Sequence, residues 1–135
     1  MPGERFLDTN VLIYAFARGD PRNARAEELL VEGGVIGIQV LNEFTSVTQR
    51  KLSWGWDDIE AALAVVETLV GPARPLTQEI HRHAVTLARK HVLCFRDALI
   101  VAAAAEAKCR VLMSEDLQHG QKLNRVIVSA RRPAV

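Results

Sequence analysis

The hydrophobic positions of this chain fall into two patterns: short unbroken runs, and longer stretches spaced to fill one face of a helix. "RFLD" at 5–8 reads as a buried strand ending at Asp8, and "NVLIYAFA" continues from it as a helix. "DPRNARAEELLVE" carries Asp20 as N-cap, Pro21 at the first helical position, and Ala24, Leu29 and Leu30 on one face. Gly33 and Gly34 stop that helix, and "VIGI" reads as a second short strand. "QVLNEFTSVTQRKL" places Val40, Leu41, Phe44, Val47 and Leu52 at helical intervals. After the "SWGW" turn comes the helix "DDIEAALAVVETLV", capped by Asp57 or Asp58. Pro72 and Pro75 break the chain before "TQEIHRHAVTLARKH", a helix with Thr77 as N-cap. "VLCF" reads as a brief extended piece, and "RDALIVAAAAEA" as a helix apolar enough to be buried on most sides. "CRVLMSE" is a strand, "DLQHGQKL" a loop or helical turn, and "RVIVSA" a last strand. Strands and helices alternating at these lengths predict an α/β sandwich, a short central parallel sheet flanked by helices.

Composition narrows the class. A chain of 135 residues, 49% hydrophobic and 24% charged, suits one domain with its own core over 1–135, and no linker or repeat divides it. A net charge of +1 sets up no broad field, so a polyanionic partner has to be held by a local patch or by metal ions. Cys94 and Cys109 form no CxxC pair and read as buried reduced thiols of a cytosolic protein. "MPGERFLDTN" has no apolar core of the signal-peptide kind, and "ALIVAAAA" is too short to span a bilayer.

Four acids stand where short connections converge. Asp8 ends the first strand, Glu43 lies in the first turns of the helix after the second, Asp97 opens the alanine-rich helix, and Asp116 follows the third strand. Parallel sheets bind ligands outside the carboxyl ends of their strands. Glu27, Glu28, Glu60 and Glu67 instead read as solvated faces of amphipathic helices. Taken singly, Asp8 and Asp97 read as helix caps, Glu43 as a first-turn acid and Asp116 as a turn residue. Taken together without countercharge, they would repel one another and raise their own pKa values. Mg²⁺ or Mn²⁺ resolves that crowding with oxygen ligands. Thr9, Asn10 and Ser114 are short polar neighbours suited to hydrogen bonds behind such ligands.

"FLDTNVLIYAF", "LNEFTSV" and "RDALIVAAAAEAKCRVLMSEDLQHGQ" together resemble a PIN domain of the VapC toxin type, from about residue 5 to about residue 125. The resemblance implies a PIN-like three-layer sandwich and a Mg²⁺- or Mn²⁺-dependent endoribonuclease acting on single-stranded RNA. Such toxins are commonly dimeric, are silenced by a small cognate antitoxin, and are cytoplasmic. Asp8, Glu43, Asp97 and Asp116 match the family's four acids, and Asp8, Asp97 and Asp116 are the expected metal ligands. Arg96 stands where many relatives carry an aromatic or another polar residue, and Ser114 replaces the more usual Thr. The antitoxin is expected on the helical hairpin around residues 40–70.

The remaining polar and aromatic residues add less. Arg96 and His119 are candidate RNA contacts, and Arg50 and Lys51 read as phosphate contacts or as solvated surface. His81 and His83 point to different faces of one helix and do not make a zinc pair. Trp54 and Trp56 suit base stacking, a partner helix, or a core or dimer contact. Three other functions compete. An Asp-based phosphohydrolase would carry a second Asp where this chain has Asn10. A receiver-type signalling module needs a lysine where "RVIVSARRP" offers arginines. A PIN-fold protein that binds RNA without cutting it has no use for four acids.

Overall fold

A computed structural model describes residues 5–114, 122–123 and 126–129. In chain order it contains β1 (Arg5–Leu7), α1 (Thr9–Ala15), α2 (Asn23–Glu32), α3 (Ile38–Arg50), α4 (Trp56–Val70), α5 (Gln78–His91) and α6 (Phe95–Glu106). Three strands follow: β2 (Val111–Met113), β3 (Lys122–Leu123) and β4 (Val126–Ser129). The sheet runs β1-β2-β4-β3, with β1, β2 and β4 parallel and β3 antiparallel to β4. This is the helix-flanked parallel sheet that the sequence predicts. The register pairs Leu7 with Met113, so the two strands end side by side and the residues after them, Asp8 and Ser114, emerge at one edge.

Burial follows the sequence pattern. Phe6, Leu7 and Leu112 are fully buried in the sheet, and Val40, Phe44, Ile100 and Val101 close over them from the helices. Removing one such large side chain from water is worth about 1.5–3 kcal/mol. Helix α6 buries Ala98, Ala102, Ala103 and Ala104 and lies against β2 and β4. A methyl-sized side chain lets its backbone come close to the sheet, which explains why an alanine run is needed there. Helix α5 pairs with α6, while α1 packs on α2 and α3, and α4 joins α2 and α3.

Several local expectations shift. The "VIGI" segment makes only single-residue bridges, Val35 with Phe6 and Gly37 with Arg74, before the chain turns into α3. A Cβ on Gly34 would meet the Arg5 carbonyl oxygen at 3.0 Å, a tight contact, so close passage over β1 favours glycine there. Asp20 does not cap α2, which starts at Asn23 with Arg22 as its N-cap. Its carboxylate is instead committed to the Arg22 amide at 2.8 Å and the Arg22 guanidinium at 3.0 Å. Asn23 serves the preceding helix, its amide donating to the Tyr14 and Ala15 carbonyls. Gly55 caps α4, so Asp57 and Asp58 occupy its first turn rather than its cap. Thr77 caps α5 as expected, accepting from the Ile80 amide. "VLCF" holds no strand: Val92 ends α5 in the left-handed conformation and Phe95 opens α6. Part of "DLQHGQKL" forms β3, where a loop or turn was expected. Cys109 is buried, but Cys94 is exposed, contrary to expectation, because it precedes α6 at the surface.

Candidate active site

Asp8 leaves β1 and caps α1, and it is 1% exposed. Its backbone amide donates to the Met113 carbonyl, which fixes it to the neighbouring strand. Both carboxylate oxygens are engaged: Oδ1 accepts from the Thr9 amide at 2.6 Å, and Oδ2 accepts from the Ser114 hydroxyl at 2.7 Å. Ser114 and Thr9 are themselves buried. Helix α3 brings Glu43 alongside. Its Oε2 accepts from the Thr9 hydroxyl at 2.7 Å, and its Oε1 accepts from the Gln39 amide one turn earlier at 3.1 Å. Asp97 enters from the first turn of α6, whose N-cap is Cys94, so the cap role weighed for Asp97 does not apply. Glu43 likewise lies past the first turn of α3 and is no dipole-complementing acid there.

The three carboxylates converge on Arg96. Its Nη2 donates to Asp8 Oδ1 at 3.0 Å and to Glu43 Oε2 at 2.7 Å, its Nε donates to Glu43 Oε2 at 3.1 Å, and its Nη1 donates to Asp97 Oδ1 at 2.8 Å. Burial opposes the charge on Arg96, but the charge of Asp8 and the bonds and charge of Glu43, helped by Asp97, outweigh it and hold its pKa above the ordinary value. The repulsion expected of uncompensated acids is thus relieved from within the chain. Arg96, anticipated as a substrate contact, is turned onto the acids. A cavity of about 390 Å³ opens beside them, lined by Thr9, Asn10, Ile13, Glu43, Ser46, Val47 and Arg96. Asp116 and His119 lie outside the described residues.

Hard carboxylate oxygens are the donor chemistry that Mg²⁺ and Mn²⁺ prefer. Among the described residues, however, no three acids, histidines or cysteines are grouped to hold an ion. The oxygen chemistry of the three acids suits a divalent cation, and in this arrangement a guanidinium stands among them. Gln39 was missed in the sequence, although its position four residues before Glu43 on one helix face was the available signal. The other candidates sit apart. Trp54 packs edge-on against Phe16 and Phe44, while Trp56 is exposed at the start of α4. His81 meets the Phe95 ring, and Arg50 and Lys51 are exposed.

The PIN domain family model matches residues 5–122. The chain belongs to the PIN domain family. Among solved structures, this PIN domain is similar to the sarcin-ricin loop cleaving toxin VapC20 of Mycobacterium tuberculosis, at 22% identity and a TM-score of 0.66, over 80% of this chain and 86% of that one. It is also similar to VapBC2 of Rickettsia felis bound to a DNA fragment from its promoter, at 16% identity and a TM-score of 0.65, over 93% of this chain and 96% of that one. FitAcB of Neisseria gonorrhoeae matches the PIN domain at 16% identity and a TM-score of 0.63, over 93% and 96% of the two chains. No curated protein matches by sequence. These likenesses place the fold, and the site's chemistry rests on the residues above.

Proposed function

We propose that this PIN domain is a Mg²⁺- or Mn²⁺-dependent endoribonuclease, the toxin of a toxin–antitoxin pair, cutting phosphodiester bonds in single-stranded RNA. The observation that carries this reading is the convergence of Asp8, Glu43 and Asp97 on one point beside an open cavity at the end of β1. Asp8 and Asp97, with Asp116, are assigned as ligands of the ion, and Glu43 completes the acid set. When bound, such an ion neutralises the carboxylates and lowers the pKa of water for attack on phosphorus. The chain's own residues orient the donors. Ser114 and the Thr9 amide fix Asp8, while the Thr9 hydroxyl and Gln39 fix Glu43, so neither carboxylate has to be ordered when substrate arrives. Asn10 and Arg96 both line the cavity, and Arg96 supplies a cation to its wall for a bound phosphate. His119 is assigned the same phosphate-contacting role.

Incubation of defined RNAs with wild type and Asp8→Asn, with and without EDTA, tests the reading. Wild type is expected to cut in Mg²⁺ or Mn²⁺ and to leave 5′-phosphate and 3′-hydroxyl ends, because attack by water needs no 2′-hydroxyl. Asp8→Asn and EDTA should each abolish cutting. Ends bearing 2′,3′-cyclic phosphate, or cutting that survives EDTA, would sink this mechanism.

The partner we propose is a small cognate antitoxin seated on the α3–α4 hairpin. A groove of about 610 Å³ there is lined by Ile38, Leu41, Leu63 and Val66, with Glu60 and Glu67 among its polar members. Apolar walls with two acids suit an amphipathic helix carrying basic residues. Co-expression with the neighbouring open reading frame is expected to relieve growth inhibition and to yield a complex that co-purifies. A groove variant, Leu63→Asp, should weaken that complex without touching RNA cleavage. Persistent toxicity and separate elution would remove the partner from this surface. The same reading includes a homodimer and a cytoplasmic location. Among the described residues no helix is long and apolar enough to cross a membrane.

A further inference from the structure

Among the described residues, Arg96 donates hydrogen bonds to three carboxylates, that of Asp8 at the end of β1, that of Glu43 on α3 and that of Asp97 on α6. Asp8, 1% exposed, is the member that most needs a countercharge, since a carboxylate removed from water is costly unless paired. The planar five-donor guanidinium reaches all three acids at once, which a point-charge ammonium does not do. The oxygens it occupies, Asp8 Oδ1 and Asp97 Oδ1, belong to two of the residues assigned to the ion. Guanidinium and ion therefore cannot share the centre of the cluster. Arg96 is also placed to leave: its side chain is 34% exposed and lines the open cavity, and it is carried by the first turn of α6 on a long, many-torsioned stem.

We propose that Arg96 is a resident, displaceable countercation. It holds Asp8, Glu43 and Asp97 assembled in the metal-free chain, and a divalent ion enters the cluster by displacing its guanidinium into the cavity. This inference rests on the reading of the acids as a divalent-metal site. Its consequence is that wild type binds metal more weakly than its carboxylates alone would, because part of the binding free energy goes into releasing Arg96.

The test is direct Mn²⁺ binding by the full-length chain, read by calorimetry and by loss of the free-ion paramagnetic resonance signal, for wild type, Arg96→Met, Arg96→Lys and Asp8→Asn. Arg96→Met keeps much of the stem but no charge, and its Mn²⁺ dissociation constant is expected to fall about tenfold or more. Arg96→Lys should lie between it and wild type. In EDTA, Arg96→Met should melt below wild type, and saturating Mn²⁺ should close that gap, a response that loss of a merely structural contact would not give. Should Arg96→Met not fold, Arg96→Lys carries the comparison. Equal or weaker Mn²⁺ binding by a folded Arg96 variant, or a melting gap that metal leaves unchanged, overturns the displacement while leaving the metal site in place. Failure of wild type and both Arg96 variants to bind Mn²⁺ any better than Asp8→Asn overturns the metal reading itself, and the displacement with it.

Discussion

A carboxylate sealed from water keeps its charge only where its neighbours replace the solvent it lost. Asp8 has a hydroxyl, a backbone amide and a guanidinium for that purpose, each from a different part of the chain. Asp20 shows the same physics at the surface. The hydrogen bonds from the Arg22 side chain and amide, with help from its charge, hold the Asp20 carboxyl down at about 2. A folded pKa below the unfolded value, near 4, means that Asp20 stabilises the fold above about pH 4. That contribution is lost as pH falls through about 2. Asp20→Asn should therefore be the less stable chain at neutral pH, and the two chains should converge at the acid end of the range, as read from urea midpoints between pH 2 and pH 6. A constant difference across that range would show that the carboxylate's charge is not what matters. Asp8 stands out in the sequence as an Asp inside an apolar run. Arg96 was legible only as a cation next to Asp97. Its inward turn depends on α3 and β1 lying opposite, which no local pattern contains. The countercharge that relieves the acids' mutual repulsion is hidden in the sequence for the same reason, since Arg96 pairs with Asp8 and Glu43 as well as with its neighbour Asp97.

Elements were read well where periodicity was long and poorly where a few residues decide. The bodies of α3, α4, α5 and α6 follow the apolar spacing, and Thr77 caps α5 as its hydroxyl predicts. "VIGI" has the composition of a strand, but two glycines hugging other segments leave it only single-residue bridges. Asp20 and Pro21 look like a helix start, yet the carboxylate finds the Arg22 amide before it can serve the first turn. The end of α5 at His91 agrees with the sequence reading, but the conformation that stops it does not show there. Val92 takes φ 53 and ψ 48, a left-handed conformation that a β-branched residue adopts only at a cost. With 91% of its surface exposed, Val92 returns little packing for that strain. Val92→Gly should therefore stabilise the chain by about 1 kcal/mol in chemical denaturation, after the extra freedom of an unfolded glycine is allowed for. A neutral or destabilising result would mean that the valine side chain contributes more at the α5–α6 corner than its exposure suggests.

At the scale of the whole molecule, the site belongs to no single stretch of chain. Asp8 and Thr9 come from the beginning, Gln39 and Glu43 from the third helix, Arg96 and Asp97 from the sixth, and Ser114 from the far side of the first parallel pair. The sheet order enforces this, because β1 takes β2 as its neighbour and β2 in turn takes β4. Fold class was legible from the alternation of elements, whereas the pairing of first strand with late strands followed only from the closed structure. That order has a meaning for the newly made protein. During synthesis β1 gains the single Val35 bridge early, but β2 follows only more than a hundred residues after β1, and the hydroxyl that steadies Asp8 arrives in the same late segment, 106 positions on. Until residue 96 is added, Asp8 and Glu43 lack the guanidinium that pairs with both. The buried acid is therefore the last part of the site to be secured, although it is the first to be made.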